Sequence, residues 1–138
     1  MKPKWMAGAL LLAGCLLLSA CGNTDRVERV CDDSELYSKE DIDAAMDTVI
    51  AYFKTDMQGC TLTEVEFDER GNLAEDNQGW AEQYHADQAI LINTVFDVEN
   101  YDGEEYAFLQ SGKTYDNFIW ILTRNDNGAW EMQTEGAP

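Results

Sequence analysis

The stretch "FIWILTRNDNGAWEMQ", Phe118 to Gln133, decides the fold class. Aromatic and β-branched side chains fill "TYDNFIWILTR", Thr114 to Arg124, and "NDNG", Asn125 to Gly128, supplies residues that tolerate positive φ. With "AWEMQTE", Ala129 to Glu135, on the far side, the pattern predicts a β-hairpin. A tight turn places Arg124 opposite Ala129, so Thr123 faces Trp130 and Ile121 faces Met132 on one side of the sheet. That side is the expected seat of a helix. The other side pairs Leu122 with Glu131 and Trp120 with Gln133, and this mixed face of Phe118, Trp120, Leu122, Glu131 and Gln133 is the candidate binding face.

Working back from the hairpin, a shorter strand is expected near Tyr106 to Leu109, and "QAILINTVFDV", Gln88 to Val98, reads as a central strand with apolar residues on both faces. "CTLTEVEF", Cys60 to Phe67, is another strand. "DERGNLAEDNQG" reads as a loop, followed by a short helix carrying Trp80 and Tyr84. Ser38 looks like an N-cap, with Glu40 and Asp41 in the first helical turn. Ile42, Ala45, Met46, Val49, Ile50, Phe53 and Met57 then fall three and four apart, which predicts an amphipathic helix that Gly59 ends. Met46 and Met57 belong to its core stripe. The predicted class is α+β: this helix packed on a curved antiparallel sheet of about four strands, in a single domain over 38–138.

The order of elements resembles the NTF2-like and cystatin-like α+β folds. More narrowly, "CTLTEVEFDE", "AILINTVFDV" and "FIWILTRNDNGAWEMQ" look like uncharacterised NTF2-like domains of Gram-positive secreted proteins. The likeness runs from Ser38 to Glu135, and its motifs are structural, so it carries over no catalytic residue.

The start of the chain has Lys2 and Lys4, an apolar run from Trp5 to Leu18, and then Ser19, Ala20 and Cys21. A short positive region, an apolar stretch too short to cross a bilayer comfortably and a small-residue exit make a secretory signal over 1–20. Leu18, Ser19, Ala20 and Cys21 resemble the lipobox of bacterial lipoproteins. The resemblance implies cleavage before Cys21 and a diacylglycerol thioether on its sulfur. It also implies an extracytoplasmic domain held at the cell membrane, and Gly22 in place of Asp means that no inner-membrane retention signal follows. An ordinary signal peptide cut nearby, or an uncleaved helix, are the competing readings. Gly22 to Tyr37 is polar and mostly acidic, and reads as a tether over 21–37 that spans on the order of 50 Å when extended at ~3.3 Å per residue.

The chain of 138 residues carries a formal net charge of −18. Such a balance excludes nucleic acid as a partner, because phosphate recognition needs a basic surface. An anionic membrane repels the domain as well. The lipid at Cys21 is then the membrane attachment, the domain stands off from the surface, and a charge-steered partner, an envelope protein or peptide, is cationic.

With Cys15 lost with the signal, Cys31 and Cys60 are an even pair and a candidate disulfide, which closes a loop for about 3–4 kcal/mol. Two free thiols are the alternative. His85 is the lone histidine, with Glu82 and Asp87 close in sequence, so a hydrolase-type role is the outside alternative to a binding or accessory domain or a small-molecule pocket. Glu64 and Glu66 share a strand face at ~6–7 Å, a spacing that can mimic a glycosidase pair. No segment has zinc-ligand spacing or an EF-hand pattern, and no cofactor is expected.

Overall fold

The computed structural model describes residues 22–133. Ser38 adopts an extended backbone and its Oγ accepts from Asp41 N at 3.1 Å, which opens helix α1, Lys39–Asp56. Ile42, Ala45, Met46, Val49 and Phe53 form its buried stripe. The helix ends where Met57 N donates to Phe53 O, and Gly59 turns the chain at φ 81°. A side chain at Gly59 has no room, since a Cβ there would sit 2.1 Å from Asn100 O.

The strands are β1, Glu28–Cys31; β2, Cys60–Phe67; β3, Gln88–Val98; β4, Thr114–Arg124; and β5, Glu131–Met132. They form one open sheet in the order β1-β2-β3-β4-β5. β1 runs parallel to β2 and the other neighbours are antiparallel, so the α+β sheet is mixed and has five strands. A single 3₁₀ turn, Glu69–Gly71, leads to a second helix, α2, Ala74–Gln83, which begins inside the stretch expected to be loop.

β1 overturns the tether. Asn23 bridges Thr61, Gly22 N donates to Lys54 O, and Tyr37 is buried, so the segment from Gly22 onward belongs to the domain. The four residues of β1 are mostly exposed and show no alternation. Their strand character comes from the edge of β2, which no local pattern reports.

The candidate disulfide fails on distance. Cys31 lies opposite Phe67 at one end of β2, whereas Cys60 begins that strand at the other end. Seven residue steps along the strand put them about 23 Å apart, against the ~7 Å limit between bridged Cα atoms. Both thiols are free, and burial pushes the Cys60 thiol up to about 12.

The expected strand at Tyr106 to Leu109 is a turn. Tyr106 and Leu109 are buried there, with the Tyr106 ring edge-on to Trp120 and its hydroxyl 2.9 Å from that of Tyr52. Burying its apolar residues at the end of the core, not in a ladder, decides this segment.

The hairpin turn forms as expected. Asp126 and Asn127 have φ of 51° and 56°, and Gly128 N donates to Asn125 O at 2.8 Å. The register differs by one residue: Thr123 pairs with Glu131 and Leu122 with Met132. An extra residue after the turn takes Trp130 out of the ladder, and its indole N–H donates to Asp41 O at 3.0 Å. A one-residue slip exchanges the faces of the slipped strand. Phe118, Trp120 and Leu122 are fully buried against α1 and are not a binding face; Trp120 packs edge-on to Phe53 at 5.7 Å. Glu131, opposite Thr123, and Gln133, whose amide donates to Thr123 Oγ1, lie on the outer side. The five residues do not share a surface.

Candidate functional site

With the inner face filled by α1, the outer face of the same strands carries the best candidate. It presents Glu64 and Glu66 from β2, Leu91 and Asn93 from β3, and Ile119 and Ile121 from β4. α2 packs against β3. Ile121 is buried, but Ile119 stays 36% exposed, so the cover is partial.

Beside Ile119 lies a cleft of about 170 Å³. Leu91 and Ile119 provide its apolar surface, and Glu66, Asp68, Asn72, Asn93 and Asn117 its polar walls. A bulge shapes one wall. β4 has one more residue than β3 between the pairs Thr94–Phe118 and Phe96–Tyr115, and Asn117 takes it up at φ 54°. Bulges of this kind re-aim a side chain, and strained non-glycine backbone concentrates at functional sites.

Asn72 builds the opposite wall. β3 extends past the end of β2, which leaves the backbone of Leu91 without a strand partner on that side. The Asn72 amide replaces it: Leu91 N donates to Asn72 Oδ1 at 2.8 Å, and Asn72 Nδ2 donates to Leu91 O at 3.1 Å and Asp68 O at 2.9 Å. Asn77 on α2 donates to Asn72 Oδ1 at 2.9 Å, so this amide is fixed from both ends.

Two features of the cleft are chemically unfinished. Asn93 donates to Glu66 Oε1 at 3.3 Å, but its own carbonyl oxygen is buried without a partner. Buried acceptors are normally satisfied, and leaving one unmet costs about 1–3 kcal/mol. Glu66 and Asp68 take part in none of the ion pairs among the described residues, and no Lys, Arg or His lines the cleft. The arrangement attracts an ammonium with a short apolar stem. Its lining contains no hydroxyl, thiol or imidazole, and its ionisable groups are the two carboxylates.

A larger cavity of about 440 Å³ lies between β1 and the start of α1. Several of its polar groups are already engaged: Asp32 accepts from Glu69 N, Ser34 donates to Glu69, and Ser38 caps α1. Burial raises the Cys31 thiol above its ordinary range.

His85 is away from all of this. It is exposed and lines neither cavity. Its φ is 55°, His85 N donates to Glu82 O, and Ala86 N donates to Ala81 O at 2.8 Å. This pair of bonds is a Schellman ending, so His85 closes α2 in the left-handed position usually held by glycine. His85→Gly is therefore expected to stabilise the domain by about 1 kcal/mol, read as a higher urea midpoint with an unchanged slope. A loss of stability would show that the imidazole makes a contact beyond capping.

Glu64 and Glu66 are both on the outer face, but only Glu66 lines the cleft. Among the described residues, no cluster of three or more His, Cys, Asp or Glu side chains is placed to hold a metal ion. Sequence reading missed Asn72, Asn93 and Asn117. The signal was present for two of them, because asparagine is depleted in strands and Asn93 and Asn117 interrupt strongly strand-like runs.

The chain matches no protein-family model, no curated protein and no solved structure.

Proposed function

We propose that the protein is a lipoprotein anchored through Cys21 on the extracytoplasmic side of the cell membrane, and that its domain is a non-catalytic module that docks a cationic side chain of an envelope protein or peptide partner. Cys21 lies outside the described residues, and the anchor is supported by the sequence Leu18 to Cys21. Among the described residues, no helix is long and apolar enough to cross a membrane. Kinship with NTF2-like or cystatin-like domains is part of the same reading, supported by the long helix α1 lying on the antiparallel run β2 to β5; the parallel β1 is a departure.

The cleft beside Ile119 carries the docking proposal. Its two carboxylates have no cationic partner, its apolar surface suits a methylene stem, and the terminal torsion of Asn93 is soft enough to turn the unmet oxygen toward an entering N–H. At about 170 Å³ the cleft is below the ~300–1,000 Å³ of sites that enclose a whole small molecule. It is sized for one side chain of a larger partner.

Titration of a lysine-containing peptide, followed by amide shifts, tests this. The double variant Glu66→Gln, Asp68→Asn is expected to weaken binding at least about tenfold, since a hydrogen bond to a charged group contributes ~1.5–3 kcal/mol. Glu75→Gln with Asp76→Asn, two exposed residues of α2, makes the same charge change elsewhere. Equal weakening by both pairs would mean that only the overall negative field attracts the peptide, and the cleft would lose its role. Tighter binding of a free alkylamine than of the peptide would favour the small-molecule reading.

A further inference from the structure

The tether that the sequence suggested would let the domain float away from the bilayer, and the structure removes it. Gly22, the residue next to Cys21, is buried at the C-terminal end of α1. Its N–H donates to Lys54 O at 3.1 Å, Asn23 N donates to Cys60 O at 3.0 Å, and Leu62 N donates to Asn23 O at 2.9 Å. A Cβ at Gly22 would stand 2.1 Å from Phe53 O and 2.8 Å from Met57 O, so the close approach itself demands glycine there. The chain is stapled to the body of the domain from its first described residue.

We infer that the domain sits flush on the lipid surface, with the end of α1 and the start of β2 facing the bilayer and the cleft facing away. This rests on the reading of Cys21 as the anchor. Consecutive Cα atoms are about 3.8 Å apart, so an acylated Cys21 places Gly22 and the loop at Gln58 at the headgroup layer. The staple fixes orientation as well as distance. β2 runs from Cys60 at this end to Phe67, and the six residue steps from Cys60 to Glu66, about 20 Å, separate the cleft from the surface. The opening for a partner then points into the extracytoplasmic space.

Electrostatics oppose the contact and do not undo it. Asp56, Glu99, Asp102, Glu104 and Glu105 are exposed at this end, and an anionic leaflet repels them within a screening length of about 8 Å. Moving the domain off the surface requires peeling Gly22 and Asn23 from α1 and β2, and with them the hydrogen bonds that hold the start of the fold. The contact is imposed by the chain, not by affinity for lipid.

The test uses the full chain expressed in its membrane, with Cys15→Ser and Cys31→Ser as background and Cys60 buried. Gln58→Cys and Arg70→Cys, both exposed sites, are each treated with a bulky membrane-impermeant maleimide from the extracytoplasmic side. Gln58→Cys is expected to lose labelling in intact membranes and regain it in detergent, while Arg70→Cys labels in both. Insertion of about ten Gly and Ser residues after Cys21, a reach of roughly 16–19 Å, is expected to restore labelling at Gln58→Cys without releasing the protein. Equal labelling of the two sites in a membrane-bound protein overturns the flush orientation and leaves the anchor standing. Protection that survives the insertion overturns it too, because a protein partner is then the cover. A soluble fraction that holds the unmutated chain overturns the anchor itself, and Cys21→Ala, which is expected to release the protein, separates that failure from the others.

Discussion

Trp120→Ala is expected to lower the unfolding free energy by about 3–5 kcal/mol, a large part of the 5–15 kcal/mol typical of a single domain. The indole is fully buried and touches Tyr52 and Phe53 of α1, Tyr106 of the end loop and Phe118 of its own strand. It also closes a polar chain through the core. Trp120 Nε1 donates to Thr94 Oγ1 at 2.8 Å, and Thr94 Oγ1 donates to Phe118 O at 2.8 Å. Truncation removes the largest fully buried side chain, opens a cavity and takes away the indole donor to Thr94 Oγ1.

Urea denaturation measures the effect as a fall in midpoint. If alanine prevents folding altogether, Trp120→Phe, which keeps an aromatic ring and most of the volume but loses the N–H and part of the bicyclic ring, gives a smaller fall in a folded protein. An alanine variant that folds with unchanged stability would return Trp120 to the surface and overturn the packing described above.

The second large effect is expected at Arg124. Its side chain is 6% exposed and its guanidinium makes a two-pronged contact with Asp41, Nη1 to Oδ1 at 2.9 Å and Nη2 to Oδ2 at 3.0 Å. Nε donates to Gln88 Oε1 at 2.7 Å, and the plane lies 4.3 Å from the centroid of Trp130. One side chain thus joins the first turn of α1, the start of β3, the end of β4 and the residue that leaves the hairpin ladder. Removing one member of a buried ion pair costs about 3–5 kcal/mol, and because Asp41 is about a third open to water, a loss of about 2–3 kcal/mol is expected for Arg124→Met.

The same pair sets a pH dependence. The hydrogen bond from Arg124 holds the Asp41 carboxyl below the usual carboxylate range, against a smaller opposing effect of burial. A group whose pKa falls on folding contributes stability that is present above its unfolded value, about 3.9, and is lost as pH drops through the folded value. Wild type is therefore expected to lose this contribution below about pH 4, and Arg124→Met to lack that part of the acid limb. Parallel acid limbs in the two proteins would show that Asp41 gains nothing from Arg124.

These two positions also mark the limit of local reading. α1 was legible because its determinants are neighbours in the chain: Ser38 caps it, and Ile42 to Phe53 repeat at helical spacing. The hairpin turn was legible because Asp126 and Asn127 tolerate the positive φ that the turn needs. The register after the turn was not. Whether Trp130 stays in the ladder depends on Asp41 and Arg124, and Asp41 is 89 residues away. The binding face expected at Phe118, Trp120 and Leu122 failed with it, since an aromatic strand face beside carboxylates reads the same whether a helix covers it or water does.

The candidate cleft was less legible still. Glu66 was singled out, but as half of a catalytic pair, and Asn72, Asn93 and Asn117 come from a loop, a central strand and a bulge. By itself the sequence determined the acidic charge, the long helix and the strand segments β2 to β4, because composition, spacing and turn chemistry act within a few residues. Only the tertiary structure decided that Gly22 to Cys31 joins the sheet, that Cys31 and Cys60 stand at opposite ends of β2, and which face of β4 is core. Each of those depends on pairing or packing between distant segments, where the free energy comes from contacts that neither segment makes alone.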